Sequence, residues 1–376
     1  MKTFTEGFRA ALAAIFSDRS VFSAMLVAVV IYSFYYPSAY QNQVATRQAT
    51  VVVDLDHSPL SRALQRQMQA VRDLDLIEPS NSVEEASRRV AAGEAEGIVV
   101  IDAHFERDIL RGQQGKLTLL GEGAYLGRAS TVLNGLSAAI SGFARDAVVE
   151  RAQFLGAPAA APFTLVQRPL FNTREGYASA VVSAVSVLIV QQTLMMGVAV
   201  LAGTLRERKG SRLALGGTRL AGVLCALWLI GMLNLLYYAG FVTWFQDFPR
   251  GGNLPGLLLA AALYVAAVVL LATFVGSFFR VREHALQGIL LTSMPLFFLT
   301  GASWPVSAMP VWLTWVARLA PTTSGTQAIL QINGMGARLS EVQPQLLNLA
   351  ALIVLYGGLT WWRYRERDAA QAISAD

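Results

Sequence analysis

The chain has 376 residues, of which 54% are hydrophobic and only 15% charged, with a mean hydropathy of +0.45. Soluble domains carry about 25% charged residues, so this deficit excludes an ordinary water-soluble protein. The net charge of +5 could point to nucleic acid, but the basic residues follow membrane topology, as set out below, and that role is set aside.

Residues 1–19 place Phe4, Phe8, Leu12, Ile15 and Phe16 at helical spacing with Lys2, Glu6 and Arg9 between them. This pattern predicts an amphipathic helix lying in a membrane interface. Glu6 and Asp18 would fall in the basic region of a signal peptide, so the segment reads as an uncleaved anchor. Crossing a bilayer takes about 20 apolar residues. Six stretches approach that length: Val21–Tyr40, Ala178–Leu205, Leu220–Phe245, Leu254–Phe279, Ala285–Ser303 and Leu346–Trp362. The fifth is interrupted by Pro295 and the sixth is short.

With a cytoplasmic N-terminus, the inside segments 1–20, 206–219, 280–284 and 363–376 hold thirteen Lys and Arg residues. The short outside loops hold three, Arg250, Arg318 and Arg338. Such an excess of inside charge orients the chain with both termini in the cytoplasm. The single cysteine, Cys225, lies in the third apolar stretch, so no disulfide within the chain is available.

Between the first two stretches, residues 41–177 mix 14 basic with 16 acidic side chains and read as an aqueous domain. Strands are expected at Val51–Leu55, Gly97–Ile101, Leu117–Leu120 and Phe163–Phe171, and helices near Leu60–Val71 and Ala129–Phe154. Ser82 and Glu85 form the pattern of a capping box, with the helix stopping near Gly93. Asp102 is expected to cap a further short helix that ends at Arg111-Gly112. The fold class is therefore a polytopic α-helical membrane protein with six transmembrane helices and an inserted α/β extracytoplasmic domain. Its boundaries are 1–19 interfacial helix, 20–40 first span, 41–177 inserted domain, 178–363 remaining spans and 364–376 tail.

No phosphate loop occurs; Gly112-Gln113-Gln114-Gly115-Lys116 has the wrong spacing. His57, His104 and His284 are isolated from one another, and no Asp or Glu lies deep in a span. The chain itself thus reads as no enzyme, with neither cofactor nor metal site. Polar residues inside the spans are Gln191-Gln192 and Asn234. They fit either a transport path at a dimer interface or interhelical hydrogen bonds. Arg206-Glu207-Arg208-Lys209-Gly210-Ser211, directly after the second stretch, fits a docking surface for a soluble partner or a plain positive-inside anchor.

That last segment resembles the R-E-R-x-G-T element of type-2 ABC exporter permeases, which leads into their ATPase-contacting coupling helix (here 206–219). Gly301-Ala302-Ser303-Trp304-Pro305-Val306-Ser307-Ala308-Met309-Pro310 is similar to the family's G-x-x-[FW]-P-x-x-x-M-P element, followed by Trp312, Trp315 and Ala320-Pro321-Thr322. Arg280–Ala285 resembles its polar turn before the fifth span. Val53–Ser58, Ile101–Gly112 and Phe171-Asn172-Thr173 resemble the drug-exporting branch with a large extracytoplasmic domain, although Thr173 and Ser211 stand where that pattern has Pro and Thr.

The resemblance implies a re-entrant segment over 301–330, and the breakers Pro305 and Pro310 agree with it. It also implies a dimer with itself or a similar permease, and a separate ABC ATPase that holds the ATP and magnesium. Further implied are export of amphipathic compounds such as drugs from the inner membrane, and engagement of a periplasmic adaptor protein and outer-membrane channel. The competing expectation is a non-transporting scaffold or receptor whose extracytoplasmic domain binds an envelope partner.

Overall fold

Asp18 makes the first structural decision. Its carboxylate accepts the backbone N–H of Ser20 at 2.9 Å and of Val21 at 3.3 Å, ending one helix and capping the next. The computed structural model in which this is seen describes residues 2–39, 46–111, 113–121, 126–154, 177–209 and 215–365. The chain divides into two compact units, Met1–Gln43 with Pro169–Asp376, and Val44–Arg168. Before Asp18 lies α1 (Lys2–Ser17), and after it α2 (Arg19–Ser38), which contains a π-helical stretch at Ser23–Val27.

The α/β unit runs β1 (Gln48–Asp54), α3 (Pro59–Gln69), β2 (Leu74–Leu76), α4 (Val83–Ala91), β3 (Gly97–Ile101), α5 (Phe105–Leu110), β4 (Leu117–Gly121) and α6 (Leu126–Phe154). Its sheet has the order β2-β1-β3-β4, with β1 parallel to β2 and β3, and β4 antiparallel to β3. Alternation along β1 gives each face its own core. Val52, with Val99 and Ile101, packs on Leu64, Met68, Val132 and Leu136. Val51 and Val53 pack with Ile98, Val100 and Ala86.

Local chemistry corrects three expectations here. The three-residue β2, Leu74-Asp75-Leu76, is too short for its alternation to stand out and was not expected. Ser82 caps α4 through the Glu85 N–H at 3.1 Å, but the Glu85 carboxylate turns to the Ser80 hydroxyl at 2.7 Å, so the box closes on one side only. Asp102 does not cap α5; it pairs with Lys116 at 3.0 Å. The cap comes from Asp56, which accepts the Glu106 N–H at 3.0 Å. Gly93 does stop α4, in the left-handed conformation at φ +76°, with Gly93 and Glu94 N–H closing on Val90 and Arg89 carbonyls. The expected strand at Phe163–Phe171 lies outside the described residues.

The remaining helices are α7 (Tyr177–Lys209), α8 (Gly217–Phe245, with a π stretch at Tyr237–Val242), α9 (Leu254–Gly276), α10 (Arg282–Leu291), α11 (Ser293–Leu299), α12 (Val311–Leu319), α13 (Pro321–Met335) and α14 (Gln343–Tyr364). Among the described residues, five helices are long and apolar enough to cross a membrane: α2, α7, α8, α9 and α14. Helix α7 is the central one. Its most apolar window is 89% buried, against 28% for α2 and 22% for α14, whose outer faces are apolar and exposed.

The expected fifth span is not a continuous helix, because Pro295 removes the donor for the Leu291 carbonyl and the helix breaks at Thr292. The sixth runs longer than expected, to Tyr364. Helix α1 packs on the start of α8 through Gly7, Ala11 and Ile15 rather than through its phenylalanines, and Gly222 lets the α1 backbone at Phe4 and Phe8 come close.

Asp56 yields a test. Burial pushes its carboxyl upward, but the Ser58 side chain and the N–H groups of Glu106, His104 and Phe105 outweigh that and hold it below its ordinary value of 3.8. A depressed folded-state value adds stability above the ordinary value, and that stability is lost as pH falls through the depressed one. Amide protection across 105–110, corrected for intrinsic exchange rates, is expected to fall only in strong acid. In Asp56→Ala, which removes the acceptor, it should already be reduced at neutral pH. Equal protection in both proteins at neutral pH would remove Asp56 as the cap.

Candidate functional site

Helices leave carbonyls unbonded at one end and N–H groups at the other. At the arginine-rich end of α7, two adjacent residues serve one end of each kind. The Arg206 guanidinium donates to the Ser277 carbonyl at 2.7 Å and the Phe279 carbonyl at 3.1 Å, just beyond the C-terminus of α9. The Glu207 carboxylate accepts the Arg282 N–H at 3.1 Å, at the N-terminus of α10. Both charges also suit the helix dipoles they meet.

Gly203 makes the approach possible, since a Cβ there would stand 3.0 Å from the Arg282 Cα and N. Arg282 then reaches the Ser20 hydroxyl of α2 at 2.6 Å, and Arg363 of α14 donates to the Ser277 hydroxyl at 3.0 Å. One junction thus gathers α2, α7, α9, α10 and α14. Arg208 is exposed, Lys209 ends α7, and Gly210 and Ser211 lie outside the described residues. Of the six residues expected to form the docking segment, the structure ties Arg206, half-buried, and Glu207, exposed, to this junction by hydrogen bonds.

Higher along α7, Gln192 supports the break between α10 and α11. Its amide donates to the Ser293 hydroxyl at 2.7 Å and the Thr292 hydroxyl at 3.3 Å. The chain leaves α11 through Gly301 at φ +86°, a conformation that disfavours any other residue, and a Cβ there would also meet Val306 at 2.9 Å. Pro305 precedes a 3-10 turn over Val306–Ala308, Met309 is extended, and Pro310 stands at the start of α12.

Helix α12 exposes Val311, Trp312, Trp315 and Leu319, and Trp304 is exposed as well. Helix α13 follows directly after Ala320 and buries Pro321 through Thr326. The ends of these short helices are tied by side chains. Thr323 donates to the Leu299 carbonyl at 3.0 Å, Tyr356 to the Leu319 carbonyl at 2.6 Å, and Asn348 to the Arg318 carbonyl at 2.9 Å.

Asn234 bonds between helices. It donates to the Met25 carbonyl at 2.8 Å, inside the π stretch of α2, and Tyr238 donates to the Val29 carbonyl at 2.8 Å. A π stretch misaligns its own ladder, and Asn234 takes up a carbonyl there, while Tyr238 meets one just beyond it. Gln191 differs from its neighbours. It is fully buried, and neither its amide nitrogen nor its oxygen meets a hydrogen-bonding group of the protein.

Tyr264, also fully buried, donates to the Val187 carbonyl one turn from Gln191 and lies against Gly325 of α13. Sequence reasoning passed over Gly203, Ser277, Tyr264 and Thr326, and named Thr322 only within the Ala320-Pro321-Thr322 resemblance. The run Thr322-Thr323-Ser324-Gly325-Thr326, small and polar, was the available signal for Thr326.

The profile of the ABC-2 family transporter proteins matches residues 19–362, nearly the whole chain. The chain belongs to that family. Two relatives are inner membrane transport permeases named YhhJ, from Escherichia coli (strain K12) and Shigella flexneri. Each is 23% identical over 359 residues, which cover 92% of this chain and 94% of the relative. In an ABC-2 permease, the junction at Arg206 and Glu207 stands at the arginine-rich end of the central membrane helix.

Removing Glu207 should free the α10 N-terminus and cost about 1 kcal/mol locally. Hydrogen exchange of a peptide covering 279–286 is expected to quicken in Glu207→Ala and stay unchanged in Arg208→Ala. Identical exchange in the two variants would show that the carboxylate does not hold α10.

Proposed function

We propose that this permease is the membrane-spanning subunit of an exporter driven by a separate ABC ATPase, and that it moves amphipathic compounds such as drugs out of the cytoplasm or inner membrane. In this reading the chain crosses the inner membrane six times, with α10 and α11 together making the fifth crossing and both termini in the cytoplasm. The Val44–Arg168 unit is then extracytoplasmic and available to an adaptor protein and an outer-membrane channel. Six crossings enclose a pathway poorly by themselves, so the working unit is a dimer with itself or a similar permease. ATP and magnesium belong to the partner chain.

The observation that carries this reading is the pair Arg206 and Glu207. The segment 206–219 begins at two residues bonded to two other helices, so a push on it by a closing ATPase moves α9 and α10 with α7 instead of bending one helix. Among the described residues of the segment, Arg208 is exposed at its start, and in this reading it meets the partner. Helices α12 and α13 serve as the re-entrant segment, and Gln191, buried without a partner, is the polar residue most suited to a pathway that opens in another state.

The test is the ATPase activity of the chain co-expressed with the ATPase encoded beside it, in lipid nanodiscs, with and without amphipathic drugs. Stimulation by drugs is expected, and Arg208→Glu should reduce it at least tenfold while leaving the chain folded. If no ATPase co-purifies in mild detergent, the exporter reading fails and a scaffold that binds envelope partners through the Val44–Arg168 unit takes its place.

A further inference from the structure

A hollow of about 180 Å³ lies between α7, α8 and α13, and none of the residues lining it is ionisable. On α7 its wall is Ser179, Ser183 and Ser186, spaced four and three residues apart and therefore on one face of an otherwise apolar helix. Opposite stands Asn333 of α13, whose amide donates to the Ala239 carbonyl in the π stretch of α8 at 3.3 Å. Leu235, Ile329 and Met335 supply apolar wall. Ser186 donates to the Ser183 carbonyl at 2.7 Å, which occupies its hydrogen and leaves the Ser183 hydroxyl as the group on this face best placed to meet an occupant.

The stripe continues inward. Counting back from Asn333 by helical turns gives Ile329, then Thr326 and Thr322, and both threonine hydroxyls are buried with no hydrogen-bonding group of the protein in reach. A buried polar atom left so costs about 1–3 kcal/mol. Two on one stripe, leading from a hydroxyl-lined hollow, mark a face built to meet something other than its own helix neighbours.

We propose that this hollow is a binding site for a small uncharged molecule that carries a hydroxyl, amide or ether group on an apolar body. The absence of charge follows from the lining, because a buried ion without a partner is heavily penalised. The size follows from the volume: the hollow is half open, and since an enclosed apolar cavity of about 150 Å³ holds benzene, the part of an occupant held inside is about one ring. The occupant is thus one ring or a short branched chain, with its polar group toward Ser183 and Asn333. The inference rests on the permease reading only for its meaning in transport, where it names uncharged compounds as a substrate class; the binding itself needs no ATPase.

Gly334 provides the decisive variant. It lines the hollow, and a Cβ added there meets nothing within 4 Å, so a phenylalanine fills the space without displacing a neighbour at its root. The full chain in lipid nanodiscs is titrated by 19F NMR with 4-fluorophenol, fluorobenzene and 4-fluorobenzoate. Saturable binding of 4-fluorophenol is expected, with fluorobenzene weaker and 4-fluorobenzoate showing none. Gly334→Phe should weaken 4-fluorophenol at least tenfold, and Ser183→Ala, which keeps the volume and removes one hydroxyl, by roughly two- to tenfold.

Ser183→Ala keeps the test decisive should Gly334→Phe fail to fold. Binding that is unchanged in both variants, equal binding of 4-fluorobenzoate, or no saturable binding to the wild type would overturn the proposal. A chain that binds 4-fluorophenol as described but recruits no ATPase would refute the exporter reading and leave this site standing.

Discussion

Two adjacent side chains of opposite charge, Arg206 and Glu207, set the arrangement at the arginine-rich end of the membrane unit. Helix ends there carry unbonded carbonyls and N–H groups, and these residues meet one set of each. Because they are neighbours on one helix, α9 and α10 cannot shift independently of α7 without breaking a charged hydrogen bond. Gly203 one turn earlier permits the close approach, and Arg282 and Arg363 extend the junction to α2 and α14. The rest of the membrane unit hangs on this connection, because α7 is the one long helix buried along most of its length.

The same economy governs the polar residues deeper in the helices. Irregular helix geometry frees backbone groups, and at membrane depth there is little water to take them up. The π stretch of α2 is met by Asn234, the break at Thr292 is accompanied by Gln192, and the end of α11 is met by Thr323. Tyr264 and Tyr356 each donate to one carbonyl of a neighbouring helix. Against that pattern Gln191, Thr322 and Thr326 stand out, since they make no such bond. Among the described residues of the unit, the Gln192 and Gln345 side-chain oxygens are also buried without a partner. Gln191, Thr322 and Thr326, however, lie on α7 and α13, which pack on each other, and there binding and pathway readings converge.

Much of this was legible in the sequence where a single physical rule dominates. Long apolar runs located α2, α7, α8, α9 and α14, and short continuous apolar runs located β1 and β3. Gly93 stopped its helix because few residues other than glycine adopt that backbone angle. What escaped depended on partners remote in sequence. Asp102 and Asp56 are equally good caps by type, and only the fold brings Asp56, some 50 positions away, to the α5 N-terminus.

Pro295 announced an interruption, but the placement of the break at Thr292 also reflects Gln192, a hundred residues earlier. The docking segment was recognisable by its charge, yet that pattern does not separate Arg206 and Glu207, which bond to the ends of α9 and α10, from Arg208, which is exposed. In α1 the phenylalanine stripe was visible and the packing face was not, because Gly7 and Ala11 bind by allowing close backbone approach and contribute little hydrophobicity.

The central claim is that α7 and α10 move as one body because Glu207 and Gln192 clamp them at two points. Spin labels at Arg208 and Leu290, both exposed, in a Cys225→Ser background report the distance between these helices by pulsed electron resonance. A single narrow distribution is predicted, broadening or splitting when Glu207→Ala and Gln192→Ala are combined. A distribution unchanged by that double replacement would contradict the account.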